Sequence, residues 1–322
     1  MFYSKEEKEL LGRYFKYYRE QHQLAFSDVI KSGICDYKTY KGIEEGIAKP
    51  SNLFYDQLLN YYKLDGSILS LYSTLNPLLD ELYDACEWYD NERIKMIIDT
   101  IKSQVKHYSY HPLITELIKS LEIIKNLYIF NEYLNEKEIY ETFNLIELWN
   151  NQLSSLLIEV CGVSNTNFVY SSETYNLMNK LSFQDNSICY YWKARLFIVD
   201  VNYVRALEIY ESLIEYYNSN KNYIRMIRVK MRLFNIYRDI DNFKAESYAK
   251  ILMNELNNVA IPIQMKSSIY YNLGMYHYLN NDYINALLNF EKSNEIENSS
   301  MTTLFICSIK SRLNLSHSLE LN

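Results

Sequence analysis

Apolar positions in this chain return every third or fourth residue rather than every second, which is the spacing of one face of an α-helix. In KEEKELLGRYFKYYREQHQ, Leu10, Leu11, Tyr14, Phe15 and Tyr18 form such a stripe. LAFSDVIKSG predicts a short second helix, and DYKTYKGIEEG a third with Asp36 as its N-cap. SNLFYDQLLNYYKLD predicts another, opened by Ser51 after Pro50. The stretch from Ile94 to Val105 and HPLITELIKSLEIIKNLYIFNEYL carry the same period. His107 and His111 lie four apart, but Pro112 follows directly, so a helix is expected to begin there. Residues 64–78, LDGSILSLYSTLNPL, contain Gly66 and Pro77 and are the expected linker.

Downstream the pattern repeats at 40 residues. YYWKARLFIVDVNYVRALEIYESL, VKMRLFNIYRDIDNFKAESYAKIL and YYNLGMYHYLNNDYINALLNFEKS align, each with an aromatic after a turn: Tyr203, Phe243 and Tyr283. The first and third continue with Ala206 and Ala286, then Tyr210 and Phe290. The middle copy departs, with Glu246 and Lys250 in those places. A weaker copy is expected in TNFVYSSETYNLM, through Phe168, Ser171 and Tyr175. The end, from Ser299, is expected to form a capping helix. A fixed period of this kind is the mark of stacked helical units. The expected fold is all-α, an N-terminal helix-turn-helix over residues 1–66 followed by an α-solenoid of helical hairpins over 67–322.

Composition agrees with long helices: seven Gly and four Pro punctuate 322 residues, of which 48% are hydrophobic. The 33 tyrosines are read mainly as helix-packing residues. Five cysteines (Cys35, Cys86, Cys161, Cys189, Cys307) are scattered without metal-ligand spacing, so free thiols and a cytoplasmic location are expected, and no metal or cofactor. No apolar run approaches about 18 residues, so no membrane span is expected. The formal charge is −7, yet residues 1–66 hold ten bases and ten acids, leaving 23 bases and 30 acids in the rest. An acidic body repels phosphate, which confines any nucleic-acid contact to the front segment. Phosphate-binding loops, nucleophile elbows and paired metal-binding histidines are absent from the sequence, so catalysis is not expected.

From Leu24 to Ser51 the chain resembles an XRE-type (phage-repressor-like) helix-turn-helix, with Asp36 capping the third helix, Ile43-Glu44-Glu45-Gly46 in the I-E-x-G place, and Pro50-Ser51 following. The resemblance implies that Tyr37, Lys38, Thr39 and Lys41 face base edges, with Phe26 and Ser27 near phosphate. Departures are Ala25 at the cap of the second helix, Ile30 at a close packing position, Ile34 where a turn glycine belongs, and Gly42 within the third helix. No Gln, Asn or Arg occupies its first turn.

The repeats resemble tetratricopeptide units, the third most closely through Leu273-Gly274, Tyr283, Ala286 and Phe290. First helices of the hairpins are then expected at 187–199, 227–239 and 267–279. Helical spacing points Tyr191, Arg195, Arg228, Met231, Asn235, Arg238, Tyr271, Met275 and Tyr278 to a concave wall. Guanidinium, amide, ring and thioether groups suit a short extended peptide. The two parts together resemble the RRNPP group of peptide-pheromone receptors (Rgg-like and PlcR-like). That implies a homodimeric regulator of double-stranded DNA, switched by a short signalling peptide. A peptide-gated scaffold with lost DNA readout, and a peptide-activated accessory enzyme, are the alternatives.

Overall fold

The structure is a computed structural model that describes residues 3–66, 68–149, 152–167, 172–180, 186–258 and 261–313. Among these residues there is no strand, and the fold is all-α as expected. Contacts divide the chain into two units, Met1–Leu196 and Phe197–Asn322.

The first unit opens with α1 (Lys5–Gln21), α2 (Phe26–Ile30), α3 (Tyr37–Glu44) and α4 (Asn52–Tyr62). Ser4 caps α1 by accepting from the Glu7 amide, and the Glu7 carboxylate accepts the Ser4 N–H in return. Leu10, Leu11, Tyr14 and Phe15 of the α1 stripe are buried, as are Tyr40 and Ile43 of α3 and Leu58, Leu59 and Tyr62 of α4. Phe15 stacks on Tyr62 at 5.4 Å, and the Tyr40 and Tyr62 hydroxyls lie 2.6 Å apart. A Cβ at Gly12 would meet the Ile43 carbonyl oxygen at 2.1 Å, so α1 crosses α3 where only glycine fits.

Next come α5 (Ile68–Glu87), α6 (Asn91–Val105), α7 (Pro112–Lys125), α8 (Glu136–Leu148), α9 (Gln152–Asn167), α10 (Ser172–Lys180) and α11 (Ser187–Val199). The expected linker is corrected here. From Ile68 it is the first half of a 20-residue helix that runs through Pro77. Ile68, Leu69, Tyr72, Leu75, Leu79 and Leu82 recur on one face and are buried, and that burial outweighs the breakers. α9 is apolar nearly all round: Leu153, Leu156, Leu157, Val160 and Cys161 are each fully buried, and α5, α7 and α8 pack on it. α7 begins at Pro112 as expected, and His111 caps it by accepting from the Leu113 amide at 3.2 Å.

α1 is fixed to α8 as well as to its own bundle. Arg13 Nε donates to the Leu148 carbonyl at 3.0 Å, and Lys16 pairs with Glu147 at 2.7 Å. Residues 1–66 are thereby held on the helices that follow them.

The second unit begins in the last turn of α11 and comprises α12 (Tyr203–Ser219), α13 (Tyr223–Ile240), α14 (Asn242–Asn258), α15 (Ile263–Leu279), α16 (Tyr283–Ile296) and α17 (Ser300–Arg312). Tight turns run neighbours antiparallel, and α13 packs beside α15. Asn202, Asn222, Asp241 and Asp282 cap their helices by accepting from the amide three residues on. The expected first helices at 227–239 and 267–279 lie inside α13 and α15.

The middle repeat is better than its sequence alignment suggests. α14 starts one residue early, so Ala245 and Ala249 are buried where Ala206 and Tyr210 are buried in α12. Glu246 and Lys250 form an exposed ion pair at 2.7 Å on the outer face instead. Of the weaker fourth copy, Phe168 and Ser171 lie outside the described residues, as does the chain beyond 313.

Candidate functional site

α2 and α3 are joined by six residues in which Gly33 takes the left-handed φ of 78°. That glycine relieves Ile34, which stays out of the left-handed region. Ala25 lacks a cap side chain, but its N–H donates to Asp28 Oδ2 at 2.9 Å. Gly42 also has a reason: a Cβ there would meet Ala48 Cβ at 2.7 Å, because the chain folds back and both the Ile47 and Ala48 amides donate to the Gly42 carbonyl. Three departures that look like wear in the sequence are thus accommodated by their neighbours.

Tyr37 is 51% exposed and leans on Phe26 at 5.2 Å; Lys38, Lys41 and Ser27 are exposed. Thr39 is half-buried, and its hydroxyl donates to Asp36 Oδ2 at 3.2 Å while its amide donates to Oδ1 at 2.8 Å. The amide bond chiefly holds the Asp36 carboxyl below its ordinary range. Lys41 lies 3.6 Å from Glu45. Over residues 26–46, Lys31, Lys38 and Lys41 face Asp28, Asp36 and Glu45, with Glu44 neutralised from within.

That internal partner is Arg19, which the motif reading passed over. Its guanidinium donates to both Glu44 oxygens, at 2.7 and 2.9 Å, and lies 4.2 Å over the Phe26 ring. Hydrogen bonding to Glu44 holds Arg19 above the ordinary guanidinium value, and both side chains are almost fully enclosed. The pair ties α1 to the end of α3. The available signal was an Arg on the apolar stripe of α1 together with the motif's own Glu44.

The nine wall residues divide. Tyr191, 3% exposed and edge-on to Trp192, and the half-buried Arg195 lie in the first unit. In the second unit Arg228 and Met231 are buried. Tyr271 packs on Phe290 and Phe305, and Tyr278 on Tyr283 and Phe305; with Met275 they belong to the cluster around Ala286, Phe290 and Ile309. Asn235 is half-buried, and its Oδ1 is enclosed without a hydrogen-bond partner. Arg238 lies 3.3 Å from Asp239. Burial pushes the Tyr271 phenol up, and the positive charge of Arg238 opposes that rise. Arg238 of α13 is thus near enough to Tyr271 of α15 to act on its charge, and Asn235 precedes Arg238 by three residues on α13.

Among the described residues no cluster of three or more His, Cys, Asp or Glu is placed to hold a metal ion. No helix described is long and apolar enough to cross a membrane. A cleft of about 420 Å³ between α1, α5 and α9, lined by Glu6, Glu9, Arg13, Asn76 and Asp80 among others, contains none of the expected residues.

What the geometry defines is a helical protein with a helix-turn-helix arrangement at its front and stacked hairpins at its end. No protein-family profile matches the chain, and no curated protein matches it. Among solved structures it is similar to the apo form of the competence regulator ComR from Streptococcus vestibularis, at 14% identity, over 96% of this chain and 100% of that one. The TM-score is 0.31, at which the likeness carries no argument about site or activity.

Proposed function

We propose that this chain is a peptide-responsive transcriptional regulator. Residues 1–66 would contact double-stranded DNA, and residues 67–322 would sense a short peptide and form a homodimer. The observation that carries the reading is the front of α3. Its first turn stands out from the bundle with Tyr37 and Lys38 exposed, on a helix anchored from behind by the Arg19–Glu44 pair. A helix presented in this way suits a major groove. Ser27 at the start of α2 and Lys41 on α3 would meet phosphate, and Thr39 would act through the Asp36 cap rather than by touching bases.

The buried, unpartnered carbonyl of Asn235 supports the second half of the reading. An enclosed acceptor costs free energy until a donor reaches it, and a peptide N–H is such a donor. Arg238, one turn further along α13, offers a cation, and Tyr271, which feels that charge, a ring.

A gel shift on DNA upstream of the chain's own gene tests the first half, with Lys38→Ala and Lys41→Ala combined. Loss of the shift in the variant supports the regulator. A second reading, a peptide-gated scaffold without DNA readout, is favoured by the balanced charges of residues 26–46. No shift by the wild type at low salt would select it.

A further inference from the structure

The cleft of about 420 Å³ between α1, α5 and α9 is lined by charges of both signs, set apart along its helices. From α1 it takes Glu6, Leu10 and Arg13, and from α5 Tyr72, Asn76 and Asp80. Arg13 and Tyr72 share one end. Arg13 Nε donates to the Leu148 carbonyl at 3.0 Å, and the next residue, Trp149, stacks on Tyr72 at 5.5 Å. Glu6 lies seven residues before Arg13 and Asp80 eight after Tyr72, each about two turns along the same helix face. The two carboxylates therefore stand away from the guanidinium. Seven residues of helix put about 10.5 Å between the backbones of Glu6 and Arg13.

The fold leaves these charges unmatched. Among the described residues Arg13, which is half-buried, makes that one hydrogen bond and no ion pair. Glu9, one turn before it, pairs with Lys49 instead. Burial lowers the Arg13 pKa, and Tyr72 and Glu9 offset this only in part. Glu6 and Asp80 have no ion pair among the described residues. Burial, and after it the charge of Asp84, push the Asp80 carboxyl up. Leu10 and Leu79, both buried, add apolar lining. A guanidinium without an anion and carboxylates without a cation both gain from a ligand that brings the missing charges.

We propose that this cleft binds a tripeptide with free termini, its carboxylate on Arg13 and its ammonium on Glu6 and Asp80. An extended chain spans about 3.3–3.6 Å per residue, so three residues cover about 10 Å. The guanidinium fork can hold a carboxylate through two parallel bonds. Asn76, midway between Tyr72 and Asp80 on α5, can both donate to and accept from a peptide group. A ligand held in this way bridges the front bundle and the helix that follows it. The cleft lies in the first unit and contains no residue of the Asn235 wall, so it stands whether or not that wall senses a signalling peptide.

The probe is triglycine, titrated into the full chain by isothermal calorimetry. It should bind, and acetylating its amine or amidating its carboxylate should each weaken binding by about tenfold or more. Arg13→Gln should weaken triglycine by about tenfold. Glu6→Gln with Asp80→Asn should do the same, yet leave the acetylated peptide within about twofold, because that twin has no ammonium to lose. Asn235→Leu should leave triglycine binding within about twofold. Circular dichroism checks folding; if Arg13→Gln misfolds, the double variant at the two exposed carboxylates carries the test. No binding at about 10 mM triglycine, equal binding of the capped twins, or unchanged binding by the double variant overturns the proposal. So does loss of binding in Asn235→Leu, which puts the tripeptide on the wall of the second unit instead.

Discussion

The two units differ in what they leave open. Among the described residues, fifteen of the twenty-four exposed large apolar side chains lie in the second unit, although it is the shorter one. The front bundle of the first unit closes one buried charge pair internally, with Arg19 and Glu44 bonded twice, and binds α1 to α8 through Arg13 and Lys16. Elsewhere in the first unit the Tyr14 hydroxyl and one carboxylate oxygen of Glu116 are enclosed without a hydrogen bond. The second unit encloses an amide carbonyl at Asn235 with nothing bonded to it and keeps a strained valine on its surface. A stack of hairpins is stabilised unit by neighbour, so its walls and edges can carry groups that contribute nothing to folding. A small bundle has no such freedom, because one unmatched charge in it costs several kcal/mol.

The sharpest way to break that contrast is Arg19→Ala. It leaves Glu44 buried and unpaired, and the expected loss is about 3–5 kcal/mol. Urea unfolding followed by ring fluorescence of the front bundle would read it. Arg19→Met with Glu44→Leu should recover most of the loss, since the cost lies in the orphaned charge rather than in the missing pair. If the single variant unfolds no earlier than wild type, the front bundle is not held in the way described.

How much of this the sequence makes legible follows from where burial overrides local signals. The helices of the second unit are readable to within a few residues, because four of the six are capped by Asn or Asp and their apolar positions recur at helical spacing. Pro77 misleads because a lone breaker says nothing about the buried face around it. Gly42 looks like a defect until the chain folds back on it at Ala48, a contact with no trace in local pattern. Glu246 and Lys250 look like a decayed repeat because a one-residue shift in helix start moves every facing position. The wall residues are the least legible. Helical spacing places them on a face, but whether Tyr271 and Tyr278 meet a ligand or the rings of Phe290 and Phe305 depends on the next hairpin.

Two substitutions sharpen the comparison from the other side, because each should raise stability. Val201→Asn removes a β-branched residue from the left-handed region and should stabilise by about 1 kcal/mol. Asn235→Leu removes an enclosed acceptor without a partner and should stabilise by up to about 1 kcal/mol. Under the proposed function the second variant also loses peptide binding, measured by fluorescence polarisation with short peptides encoded beside the gene. A variant that melts earlier and binds as before would show that Asn235 is a packing residue.

The smallest expected effect concerns His111, which joins α7 to the segment before α5. Nδ1 accepts from the Leu113 amide, so in the neutral ring the proton lies on Nε2, 3.2 Å from the Asp65 carbonyl. Burial lowers its pKa below 6.5, and the bond to Asp65 partly offsets this. The unfolded chain therefore takes up the proton first as pH falls. Stability from this site is complete above about pH 6.5 and is lost as pH falls from there through the folded-state value. Protonation at Nδ1 also removes the cap of α7, so the two losses are one event. The melting temperature should fall more between pH 7 and 5.5 for wild type than for His111→Asn, whose side chain can cap without titrating. Parallel profiles for the two proteins would mean that the ring keeps its proton in the fold, and that the Leu113 bond is not what holds the start of α7.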